Sequence, residues 1–500
     1  MLSTTDAGGP VELGQATLDQ LPADLPRPTY DRSALRIGIV HIGVGGFHRA
    51  HQAMYVDRLL EAGLAQDWAI CGVGILPGDA AMAEALAAQD GLYTLVQKHN
   101  DGHLEARVIG SIVRYLHAPA DPEAVLEQLA APGTRIVSLT VTEGGYAVDA
   151  VTGHFDPADP AVAADLARSG PPGSTFGLVT EALRRRRDRG LPAFTVVSCD
   201  NIEGNGRVAQ RAFTAFARHG DPELADWIEA SVRFPSSMVD RITPRTTPED
   251  VELVRTRIGV ADRWPVVCEP FTQWVLEDSF GDGRPPLEEA GVQVVDDVRP
   301  YELMKLRMLN AGHQALGYFA YLAGHRLVHE AAQDPLIARF VLDYMALEGA
   351  PTLSPVPGID LPRYQRELVE RFSNAGVRDT VARLCAESSD RIPKWVLPVI
   401  REQLAAGGSI ERATAVVASW ARYAEGTDED GQPIDVVDRF APALTELARA
   451  GGAAFIENRA LFGDLADDVR FRESYLRTLR RLHEVGARRT LGELVSPGGG

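Results

Sequence analysis

Three side chains that can transfer a proton or hydrogen-bond an oxygen lie within nine residues of each other: Lys305, Asn310 and His313. The apolar residues around them recur at helical spacing, which predicts one helix over residues 301–322. At about 100° per residue, Glu302 and His313 lie about 60° and 80° from Lys305 around this helix. Asn310 lies about 140° from Lys305, so four polar groups share one face of an otherwise apolar helix.

This polar face has two interpretations. In the structural one, Glu302 and Lys305 form an i,i+3 ion pair, and His313 is a core histidine whose hydrogen bonds are satisfied. In the functional one, Lys305 is a general base. A lysine in a low-dielectric cleft has a pKa that falls from about 10.4 towards neutrality, so the amine accepts a proton from an alcohol. Positioned proton transfer of this kind contributes about 10²–10⁴-fold in rate. We favour the functional interpretation because it explains more of the pattern.

The first 300 residues alternate short apolar runs with helical patterns. A polar arm over residues 1–34 comes first. The strand candidates are residues 35–42, 68–73, 135–141 and 194–199, and the helix candidates are residues 49–60, 121–131 and 178–189. This alternation predicts an α/β fold with a mostly parallel, doubly wound sheet.

A glycine-rich turn follows the first strand candidate and precedes a helix, with the sequence Gly43-Val-Gly45-Gly46-Phe47-His48. Glycines let a backbone approach a dinucleotide pyrophosphate, and a helix N-terminus supplies amide donors. His48 stands where a third glycine is usual, so the residues alone leave two alternatives, a cofactor turn or a tight strand–helix connection.

Asp79 follows the second strand candidate at a longer spacing than the usual ribose-binding acid. A carboxylate there would hydrogen-bond the ribose hydroxyls and repel a 2′-phosphate, which favours NAD over NADP. The alternative is a solvated loop aspartate.

Polar side chains also follow later strand candidates, where ligands collect in open α/β sheets. Glu143 follows the strand near residue 140, and Asn201 follows the strand that ends near residue 199. Each could serve chemistry or simply form a turn. Asp240 and Arg241 lie between apolar residues and prolines. They could form a structural ion pair, or Asp240 could bind a hydroxyl of a ligand.

The pattern changes near residues 292–298, beyond which helical periodicity dominates. Helices are predicted over residues 301–322, 334–345, 363–372 and 410–424. We therefore predict two domains, residues 1–297 with the sheet and residues 298–500 as a mostly α-helical domain that carries substrate and catalytic groups.

Bulk properties exclude some classes of protein. The formal net charge of -19 argues against general nucleic-acid binding. The four cysteines are far apart and lack zinc-ligand spacing, which indicates a reducing cytoplasm and no metal site. The N-terminal pattern is not that of a signal peptide, and no long apolar stretch predicts a membrane span.

Four consecutive arginines, residues 184–187, could bind a phosphate. We favour a structural role at the basic end of a helix, where positive charge suits the helix dipole.

From about residue 37 to about residue 398, the chain resembles the polyol-specific long-chain dehydrogenases/reductases. The segments that carry the resemblance are GVGGFHRAHQAMY, SLTVTEGGY, SCDNIEGNG, FPSSMVDRITP and PYELMKLRMLNAGH. The resemblance implies a Rossmann-type N-terminal domain, a helical C-terminal domain and a site built from both. It also implies NAD, no metal, often a monomeric state, and interconversion of a polyol and a ketose, with D-mannitol and D-fructose expected first.

The resemblance assigns catalytic roles to four residues. Lys305 matches the general base. Asn201 and Asn310 match two amides that hold the developing alkoxide and the ketone oxygen, as an oxyanion hole does. His313 matches a residue that orients the substrate through a hydroxyl.

Other positions match proton-relay and substrate contacts. Glu143 and Glu302 match carboxylates that pass the proton from the lysine to solvent. Asp240 and Arg383 match substrate-binding positions. A second basic contact is expected, for which Arg391 and Lys394 compete.

In the glycine turn, Gly43, Gly45 and Phe47 match cofactor-binding positions, and Asp79 matches the acid that selects NAD. The family pattern also has a histidine at His48, which accounts for the missing third glycine.

Three functions remain open from the sequence. Mannitol oxidation comes first. A sister activity on D-arabinitol, sorbitol or fructuronate is the second, and the basic residues near Arg383 keep the uronate open. A nucleotide- or sugar-binding regulator without turnover is the third, against which the complete set of Lys305, Asn310, Asn201 and His313 argues.

Overall fold

The computed structural model describes residues 9–148, 155–167 and 170–495. The chain forms two compact units that divide between Val298 and Arg299. Each unit has its own buried core.

The first unit is built on a five-stranded parallel sheet with the strand order β6-β3-β2-β7-β8. Four of these strands confirm the strand candidates, and β6 was missed. The strands of the unit are Val11–Glu12 (β1), Ile37–Ile42 (β2), Ala69–Gly74 (β3), Tyr93–Lys98 (β4), Leu104–Ile109 (β5), Ile112–His117 (β6), Ile136–Leu139 (β7), Thr195–Ser198 (β8), Ser237–Asp240 (β9), Val260–Ala261 (β10), Val266–Cys268 (β11), Gln273–Glu277 (β12) and Gln293–Val295 (β13).

Both faces of the parallel sheet are buried, which is why its strands read as continuous apolar runs. Along β2, Ile39 faces one hydrophobic core, whereas Val40 and Ile42 face the other. The helices of the unit are Gly46–Ala50 (α1), Gln52–Glu61 (α2), Ala80–Ala88 (α3), Pro122–Ala130 (α4), Pro160–Leu166 (α5), Thr175–Asp188 (α6), Asn205–Gly220 (α7), Pro222–Ser231 (α8) and Pro248–Leu253 (α9).

Three smaller sheets complete this unit. They are β11-β4-β5, β13-β12-β9 and the pair β1-β10. In the second of them, β9 runs antiparallel to β12, and Asp240 pairs with Gln273.

The strand order of the parallel sheet indicates where a ligand would bind. From β2 the chain goes to β3 on one side, and it later returns to β7 on the other. The carboxyl ends of β2 and β7 therefore flank the point where the strand order reverses, which is where ligands bind in doubly wound sheets.

The second unit is helical, as predicted. Its helices are Arg299–Lys305 (α10), Ala311–Leu322 (α11), Val328–Gln333 (α12), Pro335–Tyr344 (α13), Leu361–Phe372 (α14), Val381–Cys385 (α15), Ser388–Trp395 (α16), Leu397–Ala406 (α17), Glu411–Ala424 (α18), Ala441–Ala450 (α19), Arg459–Phe462 (α20) and Val469–Val495 (α21).

Two predicted helices are interrupted. The helix predicted over residues 49–60 is divided at His51, whose φ of -123° and ψ of -93° are not helical. The helix predicted over residues 301–322 contains a π-turn, Leu306–Asn310, between α10 and α11. The single-helix prediction was wrong at this point. An extra residue shifts the helical phase by about 100°, but residues 306–310 are all buried, so the apolar pattern does not reveal the shift.

The arginine run at residues 184–187 has the structural role. Arg184 pairs with Glu181, and Arg185 pairs with Glu123 and Glu127. The fully buried Arg186 donates to main-chain carbonyl oxygens. Within the part of the chain that the structure describes, no helix is long and apolar enough to cross a membrane.

Candidate active site

The glycine turn begins where β2 ends. The N–H of Gly43 donates to the carbonyl oxygen of Val73 at 3.0 Å, and Gly43 has a φ of +96°. A Cβ on this residue would lie 2.2 Å from the carbonyl oxygen of Thr140, at the end of β7. Only glycine fits here, because both the backbone angle and the close approach exclude a side chain.

A buried hydrogen-bond chain supports this turn. Thr140 donates from Oγ1 to the Gly43 carbonyl at 2.7 Å, and His41 Nε2 lies 2.9 Å from the same Oγ1. Because the single hydroxyl proton of Thr140 goes to Gly43, His41 must donate from Nε2. Burial lowers the pKa of His41 to about 3, so the ring is neutral. Its ring stacks on His48 at 3.5 Å between centroids. This chain was missed, because its partners are about 100 residues apart.

One cavity of about 480 Å³ brings three predicted cofactor residues together: Gly43, Gly45 and Asp79. Residues 140–142 line the same cavity. At Gly45 a Cβ would be no closer than 4.0 Å to any neighbouring atom, so this part of the turn is open. Asp79 accepts the N–H of Leu76 at 2.9 Å. An open glycine turn with a fixed carboxylate at the end of β3 fits a dinucleotide whose ribose carries a free 2′-hydroxyl.

Phe47, the fourth predicted cofactor residue, is not among the residues that line this cavity. Its half-buried ring stacks on His51 with centroids 4.8 Å apart.

Asn201 lies, half-buried, in the loop that follows β8. Asn205 fixes this loop: its Nδ2 donates to the carbonyl oxygens of Asp200 at 3.0 Å and Ser237 at 2.7 Å. Asn205 also accepts the N–H of Ser237 at 3.0 Å. Since Ser237 begins β9, the loop with Asn201 is joined to the strand that ends at the buried Asp240.

The neighbour of Asp240 has a structural role. Arg241 donates to the carbonyl oxygens of Ala50 at 2.6 Å and Glu269 at 3.1 Å. Glu143 begins a 3₁₀ turn, Glu143–Tyr146, but its side chain lies outside what the structure describes.

In the second unit, the polar face around Lys305 is buried. Lys305 is 5% exposed, and Glu302, Asn310 and His313 are also buried. Within the described residues, the buried Oδ1 of Asn310 has no hydrogen-bond partner. A side-chain amide that rotates by 180° exchanges its accepting oxygen and its donating NH₂ group. Asn310 can therefore offer either group to a ligand at this end.

The imidazole of His313 is held neutral. Burial lowers its pKa well below the ordinary value, and the positive charges of Arg383, Arg371, Lys305 and Arg391 lower it further. Its ring lies 4.2 Å from that of Phe372, centroid to centroid.

Two of the three predicted basic residues, Arg383 and Arg391, lie close enough to His313 to affect its pKa. Arg383 pairs with Asp379, donating to Oδ1 from Nε at 2.6 Å and to Oδ2 from an Nη. Arg391 donates to the carbonyl oxygens of Arg383 at 3.0 Å and Leu384 at 3.1 Å. Arg371 was missed, because at the end of α14 it looks like any basic residue at a helix C-terminus.

Two models of one protein family together match most of the chain. The mannitol dehydrogenase Rossmann domain matches residues 37–289, and the mannitol dehydrogenase C-terminal domain matches residues 297–483. The chain belongs to the mannitol dehydrogenase family.

Two similar proteins each match 97% of this chain. Mannitol 2-dehydrogenase of Phaeosphaeria nodorum is 46% identical over 97% of this chain and 85% of its own length. The enzyme named mannitol 2-dehydrogenase in Aspergillus fumigatus is 44% identical over 97% of this chain and 100% of its own.

Two solved structures share the fold over nearly all residues. Pseudomonas fluorescens mannitol 2-dehydrogenase, in a ternary complex with NAD and D-mannitol, has a TM-score of 0.93 and 44% identity over 97% of this chain and 99% of its own. Substrate-free D-sorbitol dehydrogenase has a TM-score of 0.84 and 40% identity over 96% of this chain and 100% of its own.

Over residues 9–148, 155–167 and 170–495, no group of three or more His, Cys, Asp or Glu side chains is placed to hold a metal ion.

Proposed function

We propose that this chain catalyses the NAD-dependent oxidation of D-mannitol to D-fructose and the reverse reduction. The observation that carries the proposal is a buried Lys305 close in sequence to Asn310 and His313, in a chain that is similar over 97% of its length to a mannitol 2-dehydrogenase solved with NAD and D-mannitol.

Lys305 is the general base. Its buried amine would accept the proton of the C2 hydroxyl. When bound, NAD supplies the nicotinamide carbon that takes the hydride from C2. The alcohol thus loses one proton and one hydride and becomes the ketone.

Asn201 and Asn310 donate to the substrate oxygen while negative charge develops on it. The unpartnered carboxamide end of Asn310 supports this role. His313 is neutral, so it can donate to a substrate hydroxyl from one ring nitrogen and accept from the other. Asp240 and Arg383 bind further hydroxyls.

Glu302 and Glu143 pass the proton from Lys305 to solvent. Glu302 precedes Lys305 by three residues on α10, which places the two on neighbouring positions of one helix face.

NAD would be held by the glycine turn and by Asp79. Gly43 and Gly45 allow a close approach of the pyrophosphate, Phe47 belongs to the same turn, and Asp79 binds the ribose hydroxyls. A 2′-phosphate would face the Asp79 carboxylate, so the enzyme prefers NAD.

The substrate is a neutral polyol. Arg383 is already paired with Asp379, which leaves no uncompensated charge at this residue for the carboxylate of a uronate. Sorbitol is the second candidate, because a D-sorbitol dehydrogenase shares 40% identity with this chain.

A polyol panel tests the proposal. Purified protein is given D-mannitol, D-sorbitol or D-arabinitol with NAD or NADP, and the reduced-cofactor absorbance is followed. Fructose and fructuronate are tested in the reverse direction. The highest kcat/KM is expected for D-mannitol with NAD. A protein that binds NADH but turns over none of these compounds would be a regulator instead.

We further propose that the enzyme is a monomer, as the family resemblance implies, and that it is cytoplasmic. All four cysteines are buried free thiols, which suits a reducing compartment. Light scattering during gel filtration should give a mass near 54.1 kDa, and a multiple of it would overturn the monomer.

A further inference from the structure

One strained residue lies directly before Glu143. Thr142 has a φ of +69° and a ψ of 167°, a backbone conformation that only glycine adopts readily. A threonine persists there only if surrounding contacts hold it, and such residues cluster at functional sites.

The contacts that hold Thr142 come from one buried carboxylate. Asp200 accepts the N–H of Thr142 at 2.9 Å through Oδ1 and the N–H of Val141 at 3.2 Å through Oδ2. Asp200 follows β8 and directly precedes Asn201, so a single side chain joins the loop of Asn201 to the backbone that leads into Glu143.

Asp200 is itself anchored from two sides. Tyr146 donates from its hydroxyl to Asp200 Oδ2 at 2.8 Å. The carbonyl oxygen of Asp200 accepts from Asn205 Nδ2, which also binds β9. Burial and the negative charge of Asp200 raise the pKa of Tyr146 well above its ordinary value, so the hydroxyl remains a donor.

We propose that Asp200 is a positioning residue for proton transfer, which holds Thr142 in its strained conformation and thereby fixes Glu143 relative to Asn201. This inference rests on the proposed function. It adds that the backbone positions of two residues on separate loops depend on one carboxylate that does not itself act on the substrate.

The test compares three substitutions. Asp200→Asn keeps the size of the side chain but presents an amide hydrogen to one of the two loop N–H groups. We expect kcat for D-mannitol oxidation to fall at least tenfold and its pH profile to shift, while NADH affinity changes less than about threefold. Tyr146→Phe is the matched control: it removes one donor but leaves both loop amides bound, and kcat should stay within about threefold.

Thr142→Gly completes a double-mutant cycle, because glycine adopts this backbone without strain. In the Thr142→Gly background, Asp200→Asn should lower the melting temperature less than it does alone. This cycle needs no turnover. If Asp200→Asn folds only in the glycine background, that rescue of folding by Thr142→Gly supports the inference.

The outcomes separate this inference from the proposed function. A wild-type enzyme that oxidises no polyol refutes the function, and the melting cycle then decides whether Asp200 holds Thr142. An active wild type with a folded Asp200→Asn enzyme of unchanged kcat and pH profile overturns the inference alone. Additive melting temperatures in the cycle also overturn it.

Discussion

Lys305 and Asn310 lie at the two ends of one π-turn, closed by the N–H of Ala311 donating to the carbonyl oxygen of Leu306. A regular α-helix would separate the two side chains by about 140°. Since the π-turn adds one residue without advancing the helix, the separation falls to about 40°, that of a four-residue step. His313 comes within about 20° of Lys305 by the same count. The turn thus gathers Lys305, Asn310 and His313 on one narrow face.

Replacing Lys305 by alanine should remove turnover without removing cofactor binding. We expect kcat to fall by at least about 10²-fold, because positioned proton transfer contributes that much. Steady-state kinetics and NADH fluorescence titration measure the two effects. The control is Lys98→Met, which breaks a buried 2.6 Å ion pair with Asp250 in the first unit. Lys98→Met should lower stability but leave kcat of the folded enzyme unchanged. If Lys305→Ala retains most of the wild-type kcat at neutral pH, Lys305 is not the base.

Replacing Asn310 by alanine should slow the reaction by about 10²-fold, the usual effect of losing one oxyanion donor. Asn310→Asp should be slower still, because it places negative charge beside the developing alkoxide. Both variants should bind NADH as the wild type does. Equal rates for the alanine and aspartate variants would argue that Asn310 does not contact the reacting oxygen.

The sheet and the helical second unit could be predicted from sequence, because buried strands and helices leave periodic apolar patterns. The π-turn at Leu306–Asn310 could not, since all five of its residues are buried and the shift in helical phase therefore leaves no mark in that pattern. Contacts between distant residues were also beyond reach: nothing near Thr142 in the sequence indicates that Asp200 holds it. The candidate residues came mostly from family motifs, whereas Arg371 lay outside them and was missed.

Gly45 and Gly43 should respond differently to alanine. Gly45→Ala meets no steric obstacle, so the protein should fold normally, but the methyl group enters the cavity and should weaken NADH binding at least tenfold. Gly43→Ala should lower the melting temperature as well, because its Cβ would lie 2.2 Å from a carbonyl oxygen. Calorimetry and NADH titration separate the two effects. Unchanged NADH affinity in Gly45→Ala would place the pyrophosphate elsewhere.

Asp79→Ser should shift cofactor preference towards NADP. Removing the carboxylate removes its repulsion of a 2′-phosphate, so the ratio of kcat/KM for NAD over NADP should fall at least tenfold. The matched control is Asp159→Ser, because Asp159 lines the same cavity. Asp159 also caps α5, and serine can keep that cap. The control should keep the wild-type ratio. A similar ratio in Asp79→Ser and wild type would leave Asp79 without a role in selecting NAD.

Stability should fall in acid because three buried histidines are neutral in the folded protein. Burial lowers the pKa of His41 to about 3 and the pKa values of His48 and His313 well below the ordinary value. The unfolded chain therefore binds these protons first, near pH 6.5. The stabilisation is complete above about pH 6.5 and is lost as the pH falls, by about 1.4 kcal/mol per pH unit for each histidine. Urea unfolding between pH 7 and pH 4.5 measures the slope. His48→Phe keeps a ring for the stack on His41 and removes one titrating group. The slope of unfolding free energy against pH should therefore fall by about 1.4 kcal/mol per pH unit. An equal slope in this variant and the wild type would show that His48 does not contribute to the acid sensitivity.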